Sequence, residues 1–449
     1  MSITAWLDPS SCPVERPDRA QMSAATRQLH DALDAQAKRT GVPWLHPDRP
    51  TIQRDLLGSP EVVAWQEAKL AFMLRGDGAW SELPHLYARY GTPNAARLIG
   101  YLRALEGAEA AFVTDCGMQA FALVVDALLA PGDHAIVLRQ VYNKTRTFLE
   151  WTAKRIGATV TIVEDGDPAA VAAAVTPNTK LVFAETFTNP LMRAQDIPAL
   201  VAAAGEARLI IDSTIATPWA FDHPLLAQGV SIVIGSLTKA LGGRDLGLGG
   251  YIATDDTELG NQLMDLIAMR GGILDETRAG LVADHLDEAG RLHARRCATA
   301  TAVARFLATH PRIERVFHPS RPDHPDAAVI ARDYHRHGSI VALRVRDADE
   351  LHHRHIADVL VSCDVLRYAL SFDGLATKVN HHKTVSEYFT PPDVVARAGI
   401  DRLIRLGIGI EDADDLIACL NWALHHEAEI EPAALERWRT ARMDSRNQP

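Results

Sequence analysis

The chain has 449 residues, 47% of them hydrophobic and 23% charged, a balance that excludes a mainly disordered, collagen-like or low-complexity polypeptide. Its formal net charge of −11 sets an overall field that repels nucleic acid and anionic membrane surfaces, so neither is an expected partner. The five cysteines, Cys12, Cys116, Cys297, Cys363 and Cys419, are scattered and never form a CxxC pair, which points to a reducing compartment rather than a disulfide framework or a zinc ribbon.

The stretch Met1–Asp18 carries acids and prolines and lacks an apolar run, so no signal peptide is expected. Residues 1–85 read as a polar helical arm, with Met22, Leu29 and Leu33 at helical spacing. From Gly91 onward short apolar runs alternate with amphipathic stretches. Strands are predicted at Ala111–Thr114, Ala135–Leu138, Thr159–Val163, Leu181–Ala184, Leu209–Ile211, Ile232–Ile234 and Tyr251–Ala253, with helices at Met118–Leu129, Lys144–Ile156 and Pro198–Ala204. This alternation predicts an α/β domain on a largely parallel sheet. The apolar run Ala120–Ala130 is broken by Asp126 and falls short of the roughly 20 residues that cross a bilayer, so the expectation is a cytoplasmic protein without a membrane span.

A long helical region is expected over Glu258–His310, then a break rich in Pro and His at Pro311–Pro325. A second, smaller α/β unit follows, with a strand at Ile340–Val345 and the segment Leu403–Ile410. The charged tail Pro432–Pro449 is expected to fray. The expected organisation is an arm over 1–85, a large domain over 86–310 and a small C-terminal domain over 311–449.

In open α/β sheets, ligands bind beyond the C-terminal ends of the strands. Three such ends here carry residues suited to a pyridine-aldehyde cofactor. Leu209–Ile211 runs into Asp212, a carboxylate that needs a cationic partner when buried, and a protonated ring nitrogen supplies one. Ile232–Ile234 runs into Gly235-Ser236-Leu237-Thr238-Lys239, where a lysine beside two hydroxyls suits a Schiff base next to a phosphate. Only eight lysines stand against 38 arginines, so Lys239 among small residues is not simply one of many surface cations. Leu181–Ala184 ends in Glu185-Thr186-Phe187-Thr188-Asn189-Pro190, whose amide can meet the cofactor's phenolic oxygen. Gly117-Met118, between a strand and a helix, offers backbone N–H groups to an anion. Each fragment alone has an ordinary reading as a cap, a surface charge or a turn; their joint order favours the functional one.

In that order and spacing the sequence resembles the Cys/Met metabolism family of pyridoxal-phosphate enzymes, from about Leu86 to Cys419. The resemblance implies a fold-type-I, aspartate-aminotransferase-like large domain, pyridoxal 5′-phosphate, and a homotetramer built as a dimer of dimers with shared active sites. It implies that Tyr87 and Arg89 of the Tyr-x-Arg loop reach the phosphate of a neighbouring subunit, with Gly117, Met118, Ser236 and Thr238 as the other phosphate contacts. It further implies that Tyr142 stacks on the pyridine ring and that Asn189, Asp212 and Lys239 hold the cofactor. Arg405 and Ser371 then meet the substrate α-carboxylate. Lys239, Tyr142 and Asp212 are the implied catalytic residues.

The expected reaction is γ-elimination or γ-replacement on a γ-substituted L-amino acid, through an aldimine, Cα deprotonation and a vinylglycine-type intermediate. A β-lyase or aminotransferase on the same fold and a cofactor-binding protein without turnover stay open as alternatives. Lys144 and Arg244 stand where the family usually has other residues. They are expected to point away and pair with surface acids, although a cation facing the distal end of the substrate would favour an anionic leaving group. The histidines at 352, 353, 355, 381, 382, 425 and 426 are read as surface residues, and no metal site is expected.

Overall fold

The structure, a computed structural model, describes residue 24 and residues 88–446 apart from 165, 166, 364 and 389. The arm over 1–85, Ala24 apart, and Tyr87 lie outside the described residues. In chain order the first unit contains α1 (Pro93–Glu106), β1 (Ala110–Thr114), α2 (Gly117–Leu128), β2 (His134–Leu138), α3 (Asn143–Ile156), β3 (Thr159–Val163), α4 (Pro168–Ala174) and β4 (Thr179–Glu185). It continues through α5 (Ile197–Ala204), β5 (Arg208–Asp212), β6 (Ile232–Ser236), β7 (Gly250–Thr254), α6 (Thr257–Arg270) and α7 (Glu276–Thr309). The second unit has β8 (Ile313–Phe317), α8 (Ala327–Asp333), β9 (Ile340–Val345), α9 (Glu350–Ser362), β10 (Arg367–Tyr368) and β11 (Lys378–His381). It ends with α10 (His382–Ser386), α11 (Pro392–Arg397), β12 (Ile404–Gly407), α12 (Ala413–His426) and α13 (Pro432–Arg446).

Seven strands form the first sheet in the order β1-β7-β6-β5-β4-β2-β3. The pairs from β6 to β3 are parallel, while β7 runs antiparallel to both its neighbours. The sheet is therefore mainly parallel, as in fold-type-I enzymes. Strands β2, β4, β5 and β6 are almost wholly buried because helices cover both faces, which explains their near-continuous apolar runs. The second sheet, β10-β11-β12-β9-β8, is antiparallel except for its β10–β11 edge.

Local chemistry sets the helix ends. Thr92 accepts a hydrogen bond from Ala95 N at 3.3 Å and Pro93 opens α1, while Gly107 closes it in the left-handed conformation. The predicted run Glu258–His310 is two helices, because Gly271 and Gly272 (φ +74° and +76°) turn the chain before Asp275 caps α7. The Pro/His-rich break contains β8, whose pairing with β9 outweighs its weak apolar pattern. The tail forms α13 rather than fraying, with Leu435 packed on the second core.

One apolar core lies under the first sheet and a second between the second sheet and its helices. Helix α7 contributes Ala279, Val282, Ala283 and Leu286 to the first and Ala300, Val303, Ala304 and Leu307 to the second. A third cluster, including Phe187, Met192, Ile215, Ile340 and Phe372, joins the two units beside the site described below. Among the described residues no helix is long and apolar enough to cross a membrane.

Glu106 is a polar exception inside the first core. It is fully buried, accepts from Tyr251 Oη at 2.6 Å, and burial pushes its carboxyl up to about 7. The folded protein thus holds a proton that the unfolded chain releases from about pH 4.5, so stability falls as pH rises from there to 7. Denaturant titrations should show the wild type losing on the order of 3 kcal/mol between pH 4.5 and 8 relative to Glu106→Gln, whatever their constant offset. Parallel pH profiles for the two proteins would contradict this.

Candidate active site

Strands β4 and β5 pair in register with Glu185 opposite Asp212, and β5 and β6 with Asp212 opposite Ile234. These parallel strands therefore end at one edge and deliver Glu185, Asp212 and Ser236 to the same place. A cavity of about 350 Å³ lies there. It is lined by Gly117, Met118, Tyr142, Asn189, Asp212, Ser236, Thr238, Lys239, Ser371 and Arg405, which the sequence scatters over nearly 300 positions but the fold brings together. Arg89 is exposed, does not line this cavity, and donates from Nε to Ala268 O at 3.2 Å.

One end of the cavity suits an anion. The amides of Gly117 and Met118 open the 12-residue helix α2 and have no carbonyl of that helix to meet. The hydroxyls of Ser236 and Thr238 lie alongside, and Gly249 N donates to Thr238 Oγ1 at 3.1 Å. Closeness here depends on glycine: a Cβ on Gly117 would sit 3.2 Å from Ser236 Cβ, and one on Gly250 only 2.7 Å from Gly117 Cα.

The cavity floor holds two carboxyls, Glu185 buried and Asp212 partly buried. Asp212 Oδ1 accepts from Thr214 N at 2.9 Å, and among the described residues no cation pairs with Asp212. Glu185 Oε1 accepts from Tyr142 N at 2.6 Å, fixing the start of α3 and with it the half-exposed Tyr142 ring. Burial first, and the Asp212 charge second, push the Glu185 carboxyl far up, while burial raises Asp212 against its hydrogen bonds from Thr214. Glu185 is pushed the further of the two, so a proton shared by the pair sits there in preference to Asp212.

Lys239 sits in an irregular turn after β6, its backbone at φ −101° and ψ −135°. Its Nζ donates to Ser371 Oγ at 2.6 Å and lies 4.7 Å from the centroid of the Phe372 ring. Burial lowers its amine to about 8, with Arg405 and Lys378 pushing the same way and Asp373 and Asp245 opposing. Arg405 is 2% exposed and donates from Nη2 to Leu370 O (2.7 Å) and Ser371 O (3.2 Å), and from Nη1 to Asn189 Oδ1 (3.4 Å). Its buried Nε has no hydrogen-bond partner among the described residues, and burial holds the guanidinium down to about 10. A buried guanidinium that lines the cavity, with no acid paired to it among the described residues, is suited to a carboxylate ligand.

Neither Lys144 nor Arg244 lines the cavity. Arg244 donates to Glu288 at 2.5 Å, and Lys144 is exposed on α3. The surface reading of the histidines needs correction at three positions, because His353, His381 and His382 are buried. His353 Nε2 accepts from Val345 N at 2.9 Å, and burial with the neighbouring Arg405 drives His382 well down, so both serve as neutral groups. The sequence reading also assigned no role to Glu185, Thr214, Asn143 or His382. Only the register of β4 on β5 reveals the first.

A family model described as Cys/Met metabolism PLP-dependent enzyme matches residues 68–425. The chain belongs to this family. An O-succinylhomoserine sulfhydrylase of Pseudomonas aeruginosa is 34% identical over 342 residues, covering 75% of this chain and 83% of that protein. An L-methionine gamma-lyase of Porphyromonas gingivalis is 29% identical over 77% of this chain and 86% of its own. Among solved structures, a cystathionine gamma synthase from Xanthomonas oryzae pv. oryzae, in complex with aminoacrylate and cysteine, superposes with a TM-score of 0.72 at 29% identity over 76% of this chain and 88% of that one. The protein is a pyridoxal 5′-phosphate enzyme of amino-acid metabolism, in a group whose members make or break carbon–sulfur and carbon–oxygen bonds.

The cavity fits that cofactor on its own chemistry. It offers amides and hydroxyls for a dianionic phosphate, a partly buried carboxylate with no cation partner among the described residues for a pyridinium nitrogen, and a largely desolvated amine for an aldehyde. Replacing Glu185 tests the carboxyl pair. Glu185→Gln mimics the protonated acid and keeps an acceptor for Tyr142 N, so cofactor affinity measured by equilibrium dialysis should stay within about threefold of wild type. Glu185→Ala orphans that buried N–H and should weaken affinity about tenfold or more. Equal losses in both variants would mean that the Glu185 charge is needed.

Proposed function

We propose that the protein acts on an L-amino acid with a leaving group on Cγ, by elimination or by replacement, and that the residues lining the cavity carry the reaction. The observation that carries this reading is the meeting of Lys239, Asp212 and Arg405 in one cavity, with an amine, an acid and a carboxylate anchor each held by its own element. Bound there, pyridoxal phosphate supplies the electron sink that makes the substrate Cα–H acidic. Arg405, fixed by the Leu370 and Ser371 carbonyls, holds the substrate α-carboxylate with its guanidinium at the cavity wall. Asp212 would meet the ring nitrogen of the cofactor, and Glu185, pushed the further of the two carboxyls, would take a shared proton in preference to it.

Lys239, lowered to about 8, is neutral in a useful fraction near neutral pH and takes the proton from Cα. The same nitrogen can then take up or return protons at Cβ, since Ser371 steers it from one side and Phe372 from below. Tyr142, whose phenol burial and Glu185 hold above its usual value, stays protonated and can donate to the departing γ-group. With water as the final acceptor the products are a 2-oxo acid and ammonia; with a thiol or carbon nucleophile the product is a replaced amino acid.

A panel of γ-substituted amino acids, assayed for 2-oxo acid release with and without a thiol, tests this. Turnover should appear on at least one of them, and Lys239→Ala should lose it by roughly three orders of magnitude or more. Near-normal turnover by that variant, or amino-group exchange with keto acids as the sole reaction, would overturn the proposal.

The same reading places a dimer of dimers in the cytoplasm, with Tyr87 and Arg89 serving the neighbour's phosphate site. The exposure of Arg89 outside its own cavity supports this. Domains over 86–310 and 311–449 go with it, with α7 packing into the core of each. Mixing Arg89→Ala with Lys239→Ala subunits, each inactive alone, should restore part of the activity through hybrid sites. No recovery despite demonstrated subunit exchange would contradict the shared site.

A further inference from the structure

Behind Lys239 lies a buried carboxylate with no part in the steps above. Asp373 is 2% exposed and stands at φ +61°, in the left-handed region where glycine is at ease and a residue with a Cβ is strained. The turn alone would form more readily without this side chain, and burying an ionised carboxyl is costly in itself. Something else keeps it there.

Its neighbours supply the reason. Ser339, just before β9, donates from its hydroxyl to Asp373 Oδ1, while Oδ2 is buried with no hydrogen-bond partner among the described residues. Arg296 of α7, fully buried, faces Asp373 and donates from Nε to Gly374 O at 3.0 Å and from Nη2 to Gly243 O. Lys378 of β11 faces it as well but is paired with Asp245 at 2.6 Å. Upstream in the same turn, Ser371 Oγ meets Lys239 Nζ at 2.6 Å, and the Phe372 ring lies 4.7 Å from that nitrogen and 5.7 Å from the Arg405 guanidinium. The turn therefore touches the amine and the carboxylate anchor on one side and is moored through Asp373 and Gly374 on the other.

We propose that Asp373 is a positioning residue: moored on Ser339 and facing Arg296, it fixes the Ser371–Gly374 turn against Lys239 and keeps a negative charge behind the lysine nitrogen. The charged groups facing that nitrogen are Arg405, Lys378, Asp373 and Asp245. Asp245 is half committed to Lys378, so Asp373 is the anion left to favour a positive charge at Lys239. Removing it makes protonation at that nitrogen harder.

This inference rests on the proposed role of Lys239 as the cofactor lysine, and the test separates the two. Visible-absorbance pH titration of the lysine–cofactor linkage is run on the loaded wild type, Asp373→Asn and Asp373→Gly, with melting temperatures in parallel. The expected result is a midpoint about 0.5–1 pH unit lower in both variants, with kcat/KM reduced about tenfold or more. Asp373→Gly, relieved of its strained φ, should melt close to the wild type. A midpoint that stays with the wild type in both variants overturns the role of Asp373 alone. Failure of both to fold overturns it too, because the carboxylate would then be holding the fold. A wild type without any such absorbance band overturns the reading of Lys239 itself, and this inference with it.

Discussion

Strands β4, β5 and β6 run parallel and in register, so whatever follows each of them leaves the sheet at a common edge. Every group in the cavity is placed relative to that edge. The register puts Glu185 across from Asp212, and their closeness biases a shared proton toward Glu185. Shifting β4 by one residue would point Glu185 to the other face, releasing the Tyr142 amide and leaving Asp212 without the neighbour that tunes it. The edge also explains why β7 is antiparallel. It returns the chain beside β6, so that Gly250 passes against the start of α2 and lets the amides of Gly117 and Met118 stand close to Ser236.

The opposite wall of the cavity comes from the second unit and is held by charge rather than by apolar packing alone. Two buried arginines grip one short turn: Arg405 takes the carbonyls of Leu370 and Ser371, and Arg296 takes that of Gly374. One arginine belongs to β12 and the other to α7, so the turn registers the two units on each other. A buried guanidinium donating to main-chain carbonyls is directional in a way that Phe372 against Ile215 is not.

The sequence made the sheet and most of the cavity legible because they rest on local signals. Apolar runs of strand length, separated by helical spacing, placed each strand of the first sheet to within a few residues, and the residues at three strand ends announced the chemistry. Signals that arise only in three dimensions stayed hidden. Glu185 was visible as a strand end but gained its role from cross-strand register, and Asp373 looked like part of an ordinary turn until its surroundings were known. The histidines misled because their polarity suggests a surface, whereas a neutral imidazole accepting a main-chain N–H, as His353 does, is comfortable inside. Strand β8 escaped notice for a similar reason, since its identity comes from pairing with β9 and not from its own Pro- and His-rich surroundings.

Among the described residues the chain passes from the first core to the second only once, and it does so in the middle of α7. At 1.5 Å per residue, this 34-residue helix is a shaft about 50 Å long, bedded at one end in each core. Its two glycines are not weak points: Gly280 and Gly290 are the places where Asn94 and Trp219 press against the backbone. The second unit therefore has no slack tether on which to swing. To widen the cavity it must flex the shaft or tilt along with it, and Arg296, set midway along, carries any such flexing straight to the turn beside Lys239.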